Sequence, residues 1–231
     1  MTDIKETPVE KEIIEIIDLE ANDLAAMLCS KVCHDLINPV GAVNNGLETL
    51  ADPEQAAMAD FAKEMIASAA KQAQAKLEYA RLAYGASSTA GTEFDTRECE
   101  RVANILFAIE KADLEWKIPP MFLPKNKAKL LMNMLVIVLA GVPRGGDVIV
   151  DIEGEAGKEV LKISATSDPE KRQKTLVPLG TKELLAGNPK EGVDARGIQP
   201  FYTGLLARMS QTDIQLSLED GLLTFIATPI S

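Results

Sequence analysis

Between Leu24 and Leu50, apolar residues recur at steps of three and four: Leu24, Leu28, Val32, Leu36, Pro39/Val40, Val43, Leu47 and Leu50. A strand cannot keep that period, so the segment is committed to a long amphipathic helix. Asn22 or Asp23 offers an N-cap, and the helix is expected to run to about Leu50. Asp52-Pro53-Glu54 then makes a short turn, with Pro53 placed to start a second helix. That helix is expected from Glu54 to about Tyr84, with Met58, Phe61, Met65, Ala69, Ala73, Leu77, Ala80 and Tyr84 as its stripe. Two long helices joined by a tight turn form an antiparallel hairpin. A lone hairpin leaves one flank of each stripe wet, so two copies are expected to pair as a dimeric four-helix bundle.

The first helix carries the only histidine among 231 residues, His34. At ~100° per residue it lies roughly opposite the stripe and faces solvent, with Ser30, Ile37, Asn38, Gly41 and Asn45 near it. A histidine in a core is ordinarily a packed residue with one hydrogen bond; an outward one on a long helix invites chemistry. Cys29 and Cys33 sit one turn apart beside it, but zinc needs four converging ligands and His34 points ~100° away from Cys33. No metal is expected, and Cys29 is assigned to the core.

Composition narrows the classes. The formal net charge of -11 argues against nonspecific binding to nucleic acid, which requires basic surface. It equally disfavours an anionic membrane surface. Met1 to Glu10 lacks the apolar run of a signal peptide, and the longest apolar run, Leu130 to Val142, is too short to span a bilayer. Three cysteines without a CxxC fit a reducing compartment. A cytoplasmic protein is expected.

Along the chain, residues 1–20 read as a flexible tail, 21–85 as the hairpin, 86–91 as a small-residue linker and 92–231 as a second domain. Within that domain Thr92–Phe94 suggests a short strand, and Asp95 caps a helix to about Lys111. Asp113–Lys117 alternates as a strand, and a proline-rich stretch follows from Pro119 to Pro124. Asn126–Ala140 is apolar all round, hence a buried helix. Asp147–Glu153 and Glu159–Ala165 suit a hairpin, 166–197 a loop with a short helix at Thr181–Ala186. Gln199–Ser210 suits a helix, and Asp213–Leu218 with Leu222–Thr228 a final hairpin turning at Asp220-Gly221. The class is α+β, a two-layer sandwich after a helical hairpin.

His34-Asp35-Leu36-Ile37-Asn38-Pro39-Val40 resembles the phosphoacceptor box of bacterial sensor histidine kinases. Residues 92–231 resemble their GHKL (Bergerat-type) ATP-binding domain, chiefly through Leu130–Val150 and Ile198–Pro229. The departures matter more. Where those kinases carry Asn-x-x-x-Asn, with the second Asn on Mg²⁺, this chain has Asn133-Met134-Leu135-Val136-Ile137, and isoleucine offers no oxygen. The strand Leu161–Ala165 is followed by Thr166-Ser167-Asp168-Pro169 rather than an Asp-x-Gly turn. Gly192, Gly197 and Gly204 do not make a phosphate-cradling loop. The domain reads as a degenerate relative that does not bind ATP.

An intact box ahead of a degenerate domain resembles the ChpT-like histidine phosphotransferases of alphaproteobacterial cell-cycle phosphorelays, as does the Phe201-Tyr202-Thr203-Gly204-Leu205-Leu206 segment. The resemblance implies that His34 accepts a phosphoryl group from the receiver-domain aspartate of a hybrid kinase. It then passes the group to downstream response regulators, including a DNA-binding one. The chain would need no cofactor of its own, since the receiver brings Mg²⁺. An imidazole, titrating near ~6.5, is a competent nucleophile at neutral pH. Asp35 either orients the ring or is a solvated helix acid. Asn38 matches the kinases' water-orienting position, or is an ordinary surface residue. Pro39 removes a helix hydrogen bond and is expected to kink the helix. Ile37, Val40 and Gly41, with Phe61 on helix two, suit a docking groove for a receiver helix, against core packing across the dimer. A divergent autokinase and a non-catalytic dimeric scaffold are the rival functions. The sequence names neither upstream nor downstream partners, nor the direction of phosphate flow.

Overall fold

The computed structural model describes residues 16–85, 93–155, 157–170 and 174–230. The expected linker at 86–91 and residues 1–15 of the expected tail lie outside them. Helix α1, Ala21–Ala51, and helix α2, Ala59–Ala83, form the hairpin. Their connection is a 3-10 helix, Pro53–Met58, rather than a direct start of α2. Pro53 has no N–H to leave unsatisfied, and the Asp52 carboxylate accepts the Glu54 N–H, so the turn caps itself.

The helices meet closely at Gly46, where a Cβ would lie 2.5 Å from Ile66 Cγ1 and 3.2 Å from the Ala62 carbonyl. That approach fixes which face of α2 turns inward. Ala62 and Ala69 are buried, whereas Met58, Phe61 and Leu77 of the expected stripe are exposed. The stripe therefore sits rotated from the expectation. Gly46 receives the Ile66 side chain and lies against the Ala62 backbone, so the contact is set by Gly46, Ala62 and Ile66 rather than by Met58, Phe61 and Leu77.

The second domain opens with β1, Glu93–Asp95, paired antiparallel with β3, Phe122–Pro124, inside the proline-rich stretch. Helix α3, Thr96–Glu110, is capped by the Asp95 carboxylate on the Arg97 N–H. Strand β2, Asp113–Trp116, runs parallel to β4, Gly146–Glu153, across the intervening helix α4, Lys125–Ala140. Strands β5, Val160–Ser167, β6, Thr212–Glu219, and β7, Leu222–Pro229, complete a mixed sheet of order β2-β4-β5-β7-β6. The short helix α5, Thr181–Ala186, and α6, Ile198–Met209, lie between β5 and β6.

The sheet buries alternate residues, Val148, Val150, Leu161, Ile163, Leu223 and Phe225, against α4. Leu130, Leu131, Met132, Met134 and Leu135 give α4 its all-round apolar character, and each is fully buried. Burying a side chain of that size contributes about 1.5–3 kcal/mol. Only one sheet face is covered by helices, which makes the two-layer sandwich that the alternation predicts. The hairpin joins the same core: Tyr79, Leu82 and Ala83 are buried in it, with Leu24 and Leu28 packed against it. The Ile17 N–H donates to the Gly187 carbonyl at 2.8 Å, so the end of the N-terminal segment lies tied against the second domain rather than trailing.

Candidate functional site

His34 sits near the middle of α1, with 67% of its side chain exposed. Its Nδ1 lies 3.4 Å from Asp35 Oδ1. A carboxylate oxygen only accepts, so a neutral ring that hydrogen-bonds here does so with its proton on Nδ1, the tautomer that keeps the lone pair on Nε2. The other oxygen, Asp35 Oδ2, accepts from the Lys31 ammonium one turn back. Lys31, Asp35 and His34 thus form a chain of contacts, and Lys31 is the member that sequence reasoning missed. Its signal was present: a lysine four residues before an aspartate pairs on a helix surface.

The outward row His34, Ile37/Asn38, Gly41 follows helical spacing. Ile37 and Val40 are exposed, Asn38 is exposed, and a Cβ on Gly41 would meet nothing within 4 Å. This is an open surface. Phe61 does not join it. Because Gly46 opposes Ala62, Phe61 lies near the far end of the hairpin, and Gly46 itself is roughly 18 Å along the helix from His34 at ~1.5 Å per residue. Phe61 instead shares its end with exposed Leu47, Leu50 and Met58. Cys29 is exposed beside Cys33, not in the core, since Leu28 and Val32 take the inward positions. Cys99 is the buried thiol, pushed up to about 12 by burial and by the nearby Glu98 and Asp95 charges.

Asp35 and Lys31 stand at the edge of a cleft of about 290 Å³ between hairpin and second domain, with Tyr79, Tyr84, Val136 and Pro143 on its walls. Behind it a polar network joins the two units. Tyr79 Oη donates to the Met132 carbonyl at 2.6 Å. Asn133 Nδ2 donates to the Ala83 carbonyl at 3.0 Å and to the Lys129 carbonyl at 2.8 Å. Asn133 Oδ1 accepts from Gln199 Nε2 at 2.7 Å, and Gln199 Oε1 accepts from Tyr84 Oη. Burial, then the Asp35 charge, then Tyr202 hold the Tyr84 hydroxyl above its ordinary range, so it stays a donor.

The same network takes in the residues at which the sequence resemblance looks for nucleotide contacts. Asn133 is fully buried with both amide protons and its oxygen engaged. Ile137, one turn on, is buried and apolar. The loop before α6 is closed by Asp194, whose Oδ1 accepts from the N–H groups of Arg196 and Gly197 at 2.9 and 2.7 Å. The carboxylate there takes both of those N–H donors. Gly204 serves packing: a Cβ would fall 2.0 Å from the Leu185 carbonyl oxygen. Among the described residues, no group of three or more His, Cys, Asp or Glu could hold a metal ion, and no helix is long and apolar enough to cross a membrane.

Comparison with known proteins adds three findings. The family described as the histidine phosphotransferase C-terminal domain matches residues 96–221. Protein phosphotransferase ChpT of Brucella abortus (strain 2308) is 41% identical over 201 residues, covering 87% of this chain and 92% of that protein. A bacterial phosphotransferase of known structure, solved at 1.7 Å, superposes with a TM-score of 0.83 and 39% identity, covering 92% of this chain and 100% of that one.

Proposed function

This chain belongs to the histidine phosphotransferase family, and from that premise we propose that His34 is its phosphoacceptor in a relay between receiver domains. The observation that carries the reading is the lone histidine standing out from α1 with Nδ1 on Asp35 and Nε2 bare. The Nε2 lone pair attacks the phosphorus of a receiver's aspartyl phosphate in line. The N–P bond forms as the P–O bond to the aspartate breaks, and the freed carboxylate leaves. The imidazole is then positive with its proton still on Nδ1, where the Asp35 carboxylate offsets that charge. A second receiver's aspartate reverses the sequence and carries the phosphoryl group away. Mg²⁺ comes with the receiver.

Ile37, Val40 and Gly41 provide the exposed surface on which a receiver helix docks, flanking the acceptor on its own row. Asn38, exposed one turn past His34, orients a water in this reading and so sets the lifetime of the phosphohistidine. ATP takes no part: the engaged amide of Asn133, the apolar Ile137 and the Asp194 cap all support this. Exposed Leu47, Leu50, Met58 and Phe61 support pairing of two hairpins as a four-helix bundle in the cytoplasm. The downstream acceptors are response regulators, one of them DNA-binding.

The test has two steps. The purified protein is incubated with labelled ATP and Mg²⁺ alone, then with a labelled phospho-receiver. Label on His34 only in the second step is expected. Label from ATP alone makes the protein an autokinase, and label in neither step leaves a scaffold.

A further inference from the structure

Resting on the phosphotransfer reading above, we propose that Lys31 is a positioning residue through which the second domain sets the proton on His34. Leu24, Leu28, Lys31 and Asp35 follow one another at helical steps of four, three and four on the face of α1 that meets the second domain. The Lys31 side chain is only 17% exposed although it belongs to a surface helix. It lines the cleft described above and a second one walled by Pro178, Thr181 and Pro200, and Val136 and Ala140 of α4 line both with it. A lysine whose stem lies along apolar surface has its ammonium fixed in place at little further entropic cost.

That ammonium meets Asp35 Oδ2, and the remaining oxygen of the same carboxylate faces His34 Nδ1 at 3.4 Å. Lys76, the other cation on the first cleft, is held by Glu110 at 3.2 Å and leaves Asp35 to Lys31. Without the ammonium, Asp35 is free to turn toward solvent and the ring loses its acceptor at Nδ1. The imidazole then relaxes to the tautomer with its proton on Nε2, where the lone pair needed for attack is lost. The second domain, having given up its nucleotide contacts, keeps a part in the chemistry by walling in Lys31. No proton or phosphoryl group passes through Lys31 itself.

The chain's single histidine makes the test direct. Full-length wild type, Lys31→Met and Lys31→Arg are compared by ¹⁵N NMR of the imidazole at a pH where it is neutral, alongside single-turnover transfer from a phospho-receiver. Methionine keeps the stem and removes the charge. Wild type is expected to hold its proton on Nδ1, and Lys31→Met to shift toward Nε2–H. The saturating transfer rate should fall about tenfold in Lys31→Met, while half-saturation by the receiver changes less than about twofold, as for a group misplaced after binding. Lys31→Arg should restore both readouts, and all three proteins should unfold at the same temperature. Wild type that takes label while Lys31→Met leaves tautomer and rate unchanged overturns the role of Lys31 alone. Wild type that takes no label overturns the phosphotransfer reading, and this role with it.

Discussion

His34 is held by so little that its removal separates chemistry from folding. Two-thirds of the side chain is exposed, and its ring is approached by the neighbouring Asp35 carboxylate at 3.4 Å on the same helix. His34→Ala should therefore change stability by no more than about 0.5 kcal/mol, the range for surface positions, while abolishing label from a phospho-receiver. A thermal melt and a transfer assay on one preparation check both halves. A large fall in melting temperature would show a structural histidine. The exposed position of this residue was legible from sequence because period alone placed it off the stripe. Lys31 was not singled out, because its meaning comes from Val136 and Ala140, more than a hundred residues away, which close over its stem. Phe61 was assigned to the wrong patch for a related reason: which face of α2 turns inward depends on Gly46, not on the hydrophobicity of α2 itself.

Among the elements, contacts that only glycine permits decide more than the apolar pattern does. Gly204 lets α6 lie against α5, and a Cβ there would sit 2.0 Å from backbone oxygen that has no rotamer to yield. Gly204→Ala should cost about 2 kcal/mol or more, measured as a lower urea midpoint with unchanged slope. Elsewhere in the sandwich, Lys127 Nζ on α4 donates to Glu159 Oε2 at 2.5 Å, and both side chains are buried. Burial pushes the Glu159 carboxyl up, but Lys127 and the Gly157 N–H outweigh it, and its value lies below the ordinary 4.5. A depressed carboxylate stabilises the fold above its unfolded value and stops doing so as pH falls through its folded one. Glu159→Gln should thus cost about 3 kcal/mol at neutral pH, by leaving Lys127 buried and unpaired, and its deficit should shrink below pH 4.5. Denaturant titrations at pH 7 and pH 3.5 give the comparison. Helices and antiparallel hairpins of this domain followed from local period and turn residues. The parallel β2–β4 pair and the three-residue β1–β3 pair did not, since their partners are distant in sequence and no turn marks them.

At the scale of the whole molecule, the hairpin is two-sided. Its Tyr79–Tyr84 end is fastened to the second domain by the Met132, Asn133 and Gln199 bonds, which commits that face of α2 to the chain's own fold. Its turn end is different: Leu47, Leu50, Met58 and Phe61 are exposed there, and nothing from the second domain need reach them. If that end is where two hairpins pair, charge placed on it must break the pair while leaving the sandwich core, some distance away, intact. Leu47→Asp with Phe61→Asp should lower the mass by light scattering from about twice 24.9 kDa to near 24.9 kDa at micromolar concentration. The β-sheet signature and the melting of the second domain should persist. Lys31, Asp35, His34, Val136 and Ala140 all belong to one chain, so the separated protomer should still take label from a phospho-receiver. A wild type that is already monomeric would sink the bundle. A monomeric variant that no longer accepts label would show instead that the receiver's docking surface spans both hairpins, although the reacting groups do not.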